Sequence, residues 1–186
     1  MLRMTLGILA LSLAALSHGA EPVIDNDRVV VWDTTSALPP AQHDFVAVSL
    51  SKKGTAIFGH QGTIPCQDGA RTVVIELKDN APPPIPNNTA YPLAFPRPHA
   101  KKLLENDRVI VWNSVWRPGE PTPMHFHDKD ALAVFESNST LQSTTPDAKN
   151  VVAEVKFADI RFNRRDRTHS ELLLKGHARA VIIELK

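Results

Sequence analysis

Cysteine is almost absent from this chain, because Cys66 is the only one among 186 residues. No disulfide can therefore form within the chain, and its stability must come from packing. Cys66 lies in the segment TIPCQDG. We interpret it as a small loop residue rather than a reactive thiol, because no histidine or lysine adjoins it in sequence to activate it.

Net charge is also nearly absent, at +1 for pH 7. The sequence therefore gives no sign of a nucleic-acid-binding surface. Hydrophobic residues make up 42% of the chain and charged residues 22%, which is typical of a soluble globular protein with a sizeable core. Beyond its first residues the chain lacks a convincing apolar 3.6-residue period over three turns, although HAKKLLEN, residues 99–106, could be a single helical turn.

The first twenty residues, MLRMTLGILALSLAALSHGA, have the layout of a secretory signal peptide. Arg3 precedes an apolar run of about a dozen residues, and small residues follow that run. The run is too short to span a bilayer. We expect cleavage after Gly19 or Ala20 and a periplasmic or secreted protein with no membrane contact after cleavage. An uncleaved membrane anchor is the weaker alternative.

Two segments of the chain occur twice. VIDNDRVVVWD, residues 23–33, returns as LLENDRVIVWN, residues 103–113, at an offset of 80. GARTVVIELK, residues 69–78, returns as HARAVIIELK, residues 177–186, at an offset of 108. The second copy is therefore longer in its middle by about 28 residues.

Proline separates the two copies. The segment NAPPPIPNNTAYPLAFPRPH has seven prolines in twenty residues, which excludes a regular helix or a central strand. We predict an amino-terminal repeat at 21–80, a proline-rich linker at 81–100 that can pack across the surface, and a carboxy-terminal domain at 101–186.

Short runs of β-branched and aromatic residues fill both copies, separated by Gly, Pro, Asn and Asp. They predict an all-β protein built from a pair of related antiparallel barrels or sandwiches. The runs are RVVVW, DFVAVSL, TAIFG and TVVIEL in the first copy, and RVIVWNSVW, ALAVF, TLQST, NVVAEVKF, ELLL and AVIIEL in the second. Because the first copy is too short for a stable core of its own, we expect it to pack against the second.

Histidine carries the strongest chemical signal, in the segment PGEPTPMHFHDKDALAVF, residues 118–135. His125 and His127 would point to the same face of a strand, because side chains alternate along it. Two converging imidazoles begin a site for a divalent transition metal that needs one or two further ligands. His169, shortly before the closing strand, is the candidate third ligand. The alternative is that the pair are ordinary polar residues near a strand end.

The segment GEPTPMHFH resembles the first motif of the cupin superfamily, a glycine followed by five residues and His-x-His. The resemblance implies a cupin-type antiparallel β-barrel, or jelly roll, in a tandem repeat whose shortened first copy is degenerate. It also implies a metal held by His125, His127 and His169. The glutamate of the first motif is missing here, and Leu173 stands where the second motif has asparagine. Pro39 and Ala41 replace the paired histidines in the first copy.

Three histidines without a carboxylate would leave a bound metal its full +2 charge and make it a strong Lewis acid. Fe, Zn, Mn, Ni and Cu all suit such ligands, and the sequence does not choose among them. The resemblance implies a metal-dependent enzyme of dioxygenase, lyase or isomerase type, acting on a small anionic organic molecule. The alternatives are a non-catalytic periplasmic protein that binds a metal or small ligand, and a degenerate cupin without metal. A homodimer is left open.

Several residues near the histidines have roles that the sequence leaves open. Asp130 could substitute for the missing carboxylate, but in a regular strand it should face away. Glu171 shares the strand face of His169 and could orient a ligand, act as a base or form a salt bridge. His177 is interpreted as a solvated turn residue. The four arginines of RFNRRDR, residues 161–167, form a solvated hairpin or include one that pairs with an anionic substrate.

Arg28, Arg108 and Trp116 are interpreted as structural residues. Arg28 recurs as Arg108 at the same point of the second copy, which favours a structural role because the first copy lacks the histidines. Trp116 has no counterpart and lies three residues before Gly119. We favour core packing for Trp116 over a place at the mouth of the pocket.

Overall fold

The computed structural model describes residues 21–65 and 69–186. The expected signal peptide, residues 1–20, and Cys66 lie outside the described residues. Within the described residues the chain forms fourteen β-strands and no helix, so the all-β prediction is confirmed. The search for a helix long and apolar enough to cross a membrane, made over this part of the chain, finds none.

The strands are numbered in chain order. They are β1 (Ile24–Asp25), β2 (Val29–Thr34), β3 (Phe45–Ser49), β4 (Ala56–Gly59), β5 (Thr72–Leu77), β6 (Ala100–Glu105), β7 (Val109–Trp116), β8 (His125–His127), β9 (Ala131–Phe135), β10 (Ser139–Thr144), β11 (Asn150–Val155), β12 (Ile160–Asn163), β13 (Arg167–Gly176) and β14 (Ala178–Leu185).

These strands form three antiparallel sheets. The amino-terminal sheet has the order β1-β2-β5-β3-β4, and the central sheet has the order β12-β9-β14-β7-β6. The histidine sheet has the order β11-β10-β13-β8. Read from β6, the central sheet runs β6-β7-β14-β9-β12, so the strands that carry the two duplicated segments occupy the same places in both sheets.

The matching segments also make the same turn. Asn26 Oδ1 accepts hydrogen bonds from the backbone N–H groups of Arg28 and Val29, at 2.8 and 3.0 Å. Asn106 Oδ1 accepts from those of Arg108 and Val109, both at 2.9 Å. A short Asn side chain that bonds the backbone two residues on stabilises such a turn without help from distant parts of the chain.

The two arginines that follow these turns each reach the other half of the chain. Arg108 donates from Nη2 to the carbonyl of Lys78 at 2.8 Å, and Arg28 donates from Nη2 to the carbonyl of Lys186 at 3.3 Å. The predicted structural role of both arginines agrees with these contacts. They connect the start of β2 to the end of β14, and the start of β7 to the end of β5.

A shared apolar core lies between the amino-terminal and central sheets. Alternate residues of each strand enter it, as the two-residue period of a strand requires. Fully buried examples are Val29, Val31, Val46, Val73 and Ile75 on one side and Val109, Val111, Leu132, Val181 and Ile183 on the other. At about 1.5–3 kcal/mol for each fully buried side chain, this interface is a major source of stability. The first copy therefore forms a single sheet packed on the second copy, and within the described residues it has no counterpart of the histidine sheet.

A second core lies between the central and histidine sheets, which face each other as a jelly roll. Aromatic residues of the central sheet, Trp112, Trp116 and Phe135, pack with Leu141, Val155 and Leu173 of the histidine sheet. Small residues such as Ala131, Ala133 and Ala180 lie among them. Alternation of large and small side chains leaves room for a cavity in this core.

The possible helical turn in HAKKLLEN is wrong, because residues 100–105 form strand β6. They pair with β7 along the edge of the central sheet, with an irregularity between Lys102 and Leu104.

The proline-rich linker packs across the surface, as predicted. Its Pro92 carbonyl accepts from Phe126 N–H at 2.8 Å, and Ala94 N–H donates to the Phe126 carbonyl at 2.8 Å. The linker thus covers the edge of β8 and protects it from pairing with other chains.

Candidate metal centre

Two paired strands bring the three predicted histidines together. β13 runs antiparallel to β8, which places His169 directly opposite His125 and Arg167 opposite His127. His125 and His127 share a face of β8 because they are two residues apart. All three side chains are buried, with exposed fractions of 2% for His125, 8% for His127 and 7% for His169.

The spacing of the three imidazoles suits a single metal ion. His127 Nε2 lies 3.2 Å from His125 Nε2 and 3.3 Å from His169 Nε2. Metal–nitrogen bonds of about 2.0–2.1 Å at tetrahedral angles would place two nitrogens about 3.3 Å apart. The ligand atoms of the three residues all lie within 4.8 Å of one another. This donor set, three imidazoles without a carboxylate, therefore fits a divalent transition metal.

The hydrogen bonds of the Nδ1 atoms decide which ring nitrogen of each histidine has the lone pair that could bind a metal. His125 Nδ1 donates to the carbonyl of Pro123 at 2.7 Å, which leaves the lone pair of a neutral ring on Nε2, facing the cluster. Arg167 Nη2 donates to His169 Nδ1 at 3.3 Å, since a guanidinium has no acceptor. Ligation of a metal through Nε2 of His169 would put the ring proton on Nδ1. Arg167 would then have to release His169.

Burial keeps the three imidazoles neutral. Loss of solvation lowers the pKa of His125 and strongly lowers that of His127, and nearby arginines add to both shifts. Burial also lowers the pKa of His169, to about 4. Neutral imidazole is the form that donates to a metal, so binding at neutral pH needs no net release of protons, although His169 must move its ring proton from Nε2 to Nδ1.

A cavity of about 270 Å³ opens beside His127 and His169. Its polar wall comes from the histidine sheet, β12 and the linker, and its apolar wall comes mainly from the central sheet. The polar lining includes Arg97, Asn163, Arg167 and Glu171, and the apolar lining includes Phe135, Leu141 and Ile182. The cavity is thus large enough for a small organic molecule next to the candidate metal position.

Arg97 is the residue of this site that the sequence reasoning missed. It lies in the proline-rich linker, yet its side chain is 8% exposed and its Nη1 lies 3.2 Å from Glu171 Oε2 and 3.4 Å from His125 Nε2. Its guanidinium also lies over the rings of Phe95, at 4.7 Å, and Trp116, at 5.2 Å. The one sequence signal for this role was a lone charge flanked by two prolines in an otherwise neutral stretch.

Glu171 forms a salt bridge inside the cavity rather than at its rim. It accepts from Trp116 Nε1 at 3.0 Å as well as from Arg97. Burial acts to raise the pKa of Glu171, but Arg97, the neighbouring histidines and the hydrogen bond from Trp116 together outweigh it, and the pKa lies below its ordinary value. Glu171 therefore stays a carboxylate and is a weak base. Trp116 both packs in the core and lines the cavity, so its two predicted roles coexist.

Asp130 faces away from the histidines, and the suggestion that it replaces the missing carboxylate ligand is wrong. Its Oδ2 lies 2.6 Å from Nη1 of Arg28, and its Oδ1 accepts from Arg165 N–H at 2.9 Å. Both oxygens are therefore committed to arginine. Asp130 lies after the bend at Lys129, where the chain leaves β8 for β9 in another sheet, so its side chain does not share the histidine face of β8.

The remaining predicted residues divide between the surface and the cavity. His177 is exposed at the turn between β13 and β14, as expected. Of the four arginines of RFNRRDR, Arg164 pairs with Asp27 on the surface and Arg165 donates to the carbonyl of Pro83. Arg161 and Arg167 line the cavity. The alternative that one arginine of this run faces the site is therefore the one that the geometry supports.

Comparisons with known proteins agree with this architecture. Neither a protein-family model nor a curated protein matches the sequence. A cupin 2 conserved barrel domain protein from Leptotrichia buccalis matches 90% of the chain and 88% of its own length, with 12% identity and a TM-score of 0.55. AerE from Microcystis aeruginosa matches 90% of the chain and 97% of its own length, with 10% identity and a TM-score of 0.53. An IolB-like protein from Salmonella typhimurium matches 91% of the chain and 90% of its own length, with 10% identity and a TM-score of 0.54. The chain therefore has the cupin fold that its Gly-x₅-His-x-His segment predicts.

Proposed function

We propose that this protein is an exported cupin that binds one divalent transition metal through His125, His127 and His169, beside a pocket for a small anionic organic molecule. The observation that carries the proposal is the placement of three buried, neutral imidazoles whose Nε2 atoms lie 3.2 and 3.3 Å apart. Burying three imidazoles this close together is costly unless their nitrogens are satisfied, and one metal ion would be a shared partner for all three.

A divalent ion held by three neutral imidazoles would supply Lewis acidity to oxygen or nitrogen atoms that enter the cavity. Fe, Zn, Mn, Ni and Cu all fit these ligands. The chain contributes the rest of the site. Pro123 orients His125, the Arg97–Glu171 pair borders the cluster, and the apolar wall limits the access of water.

Whether the pocket catalyses a reaction depends on which groups can move protons. Glu171 is the carboxylate that lines the cavity among the described residues, and its Oε2 accepts from both Arg97 and Trp116, which lowers its pKa and makes it a weaker base than a free carboxylate. This favours chemistry that occurs at the metal itself, as in a dioxygenase, over a lyase or isomerase that uses Glu171 for proton transfer. The same observation also suits the second candidate function, a non-catalytic protein that holds a metal or small ligand outside the cytoplasm.

Cobalt substitution tests the metal site directly. The mature chain, residues 21–186, is purified without a tag, stripped with a chelator and titrated with Co²⁺ while its visible absorption is recorded. We expect saturation at about one Co²⁺ per chain, with the intense d–d bands of a site of low coordination number. His127→Ala should abolish these bands, and His177→Ala, which removes an exposed histidine, should retain them. Equal spectra for the two variants would contradict the proposal.

A further inference from the structure

Three arginines line the cavity beside the histidines, and two of them have carboxylate partners. Arg97 Nη1 lies 3.2 Å from Glu171, and Arg161 Nη2 lies 3.6 Å from Asp159. Arg167 has no acidic side chain within 4.0 Å among the described residues. The cavity therefore contains one guanidinium without a direct ion-pair partner among the described residues, although Glu171 lines the same cavity.

The donors of Arg167 are only partly used. Nη1 donates to Asn163 Oδ1 at 2.8 Å, and Nη2 makes the long contact to His169 Nδ1 at 3.3 Å. Nε is buried and has no hydrogen-bond partner. Arg167 is half-buried, and its neutral acceptors replace only part of the solvation that its charge has lost. A positive group of this kind in a binding cavity indicates that the missing partner arrives with the ligand.

The apolar part of the cavity lining indicates what else the ligand contains. Phe135, Leu141 and Ile182 present apolar surface, and Ala131 and Ala133 leave space between them. The cavity volume of about 270 Å³ is at the small end of the range for ligand sites. A molecule that satisfies both walls has an acidic group at one end and a short apolar chain or a single ring at the other.

We propose that the pocket takes small carboxylic acids with an apolar body, and that Arg167 binds the carboxylate while the body packs on the wall of Phe135, Leu141 and Ile182. This inference rests on the proposed metal site, because a metal on His169 Nε2 leaves a proton on Nδ1 and so frees Arg167 Nη2. The released side chain can turn its Nε and Nη2 edge to a carboxylate. Arg71 shows this side-on geometry in the same chain, with Nε 2.8 Å and Nη2 2.6 Å from the two oxygens of Asp33.

The test uses two acids and their neutral amides as probes. The zinc-loaded mature chain is titrated by calorimetry with benzoate and hexanoate, and separately with benzamide and hexanamide, which have nearly the same shape but no charge. Zinc content is measured on every sample. The variants are Arg167→Gln, Arg167→Lys, which keeps the charge but loses the planar fork, and Arg164→Gln as the matched control from the same segment outside the cavity.

We expect at least one acid to bind at least about tenfold more tightly than its amide, a preference that Arg167→Gln removes and Arg167→Lys weakens. Arg164→Gln should bind the acid as the wild type does. The inference is overturned if neither acid is preferred over its amide, or if Arg167→Gln retains zinc and binds the acid like the wild type. Absence of zinc from the wild type would instead contradict the metal site, whatever the acids do. The two failures are thus distinguishable.

Discussion

Arg28 and Asp130 form a buried ion pair that joins the two halves of the chain, with Nη1 and Oδ2 2.6 Å apart and side chains 3% and 2% exposed. Asp130 also accepts from the backbone of Arg165, in the turn that leads into β13. A residue of the amino-terminal sheet therefore helps to fix the strand that carries Arg167 and His169. This contact gives the first copy a role in supporting the site even though it lacks histidine ligands of its own.

Removal of one member of this pair should destabilise the protein strongly. We expect Arg28→Met or Asp130→Asn to lower the free energy of unfolding by about 3–5 kcal/mol, because each leaves an unmatched buried charge or polar group. The double variant should lose less than the sum of the two single changes. Urea unfolding of the mature chain, followed by tryptophan fluorescence, measures all three effects.

The surface pair of Lys149 and Asp147 provides the control for this prediction. Both side chains are exposed, so Lys149→Gln should leave the urea midpoint nearly unchanged. If Arg28→Met shifts the midpoint no more than this control does, the buried pair does not contribute as described.

The shared core between the amino-terminal and central sheets predicts that the second copy is not stable alone. A fragment of residues 81–186 would expose the valines and isoleucines that now face the first sheet, including Val109, Val111, Val181 and Ile183. We expect this fragment to unfold at a clearly lower urea concentration than residues 21–186, or to aggregate. Equal midpoints for the fragment and the mature chain would show that the interface adds no stability.

Metal occupancy should depend on pH in a direction set by burial. Protons compete with a metal for imidazole, and burial lowers the pKa of all three histidines, that of His169 to about 4. Because these groups take up protons only below the ordinary histidine value of about 6.5, occupancy should hold as the pH falls through 6.5 and decline only at lower pH. Equilibrium dialysis against zinc at a series of pH values, with elemental analysis, gives the profile. A midpoint at or above about 6.5 would contradict the effect of burial.

Export remains a prediction from the sequence. Arg3, the apolar run and the small residues at its end lead us to expect a mature chain that begins at Ala20 or Glu21 outside the cytoplasm. Intact-mass analysis of protein from fractionated native cells measures both the start and the location. Protein that retains Met1 and stays in the cytosolic fraction would overturn this expectation.

Most strands and the pairing of His125 with His127 were readable from the sequence because both depend on local periodicity, whereas His169 was assigned from the resemblance to cupins. Runs such as VVVW and VIIEL favour strands through their β-branched side chains, and alternation alone places His125 and His127 on one face. Strand β6 was harder to predict, because Ala, Lys, Leu and Glu favour helix in isolation. Pairing with β7 along its length overrides that preference.

The role of Arg97 could not be read from periodicity, because a proline-rich segment has none. Its position follows from the hydrogen bonds between the linker and Phe126 of β8, which are contacts between residues distant in sequence. The form of the first copy was hidden for a similar reason. The duplicated segments show which strands correspond, but only the three-dimensional structure shows that the additional length of the second copy forms strands of the histidine sheet.

The metal content of the native protein tests the central claim most directly. Protein is purified without an affinity tag from its native compartment, and its metals are counted by elemental analysis beside His125→Ala, His127→Ala, His169→Ala and the exposed-site control His177→Ala. We predict about one divalent transition metal per chain in the wild type and the control, and loss of tight binding in each of the other three. A wild type that carries no metal even after reconstitution, or metal binding that survives the loss of both His125 and His127, would contradict the account.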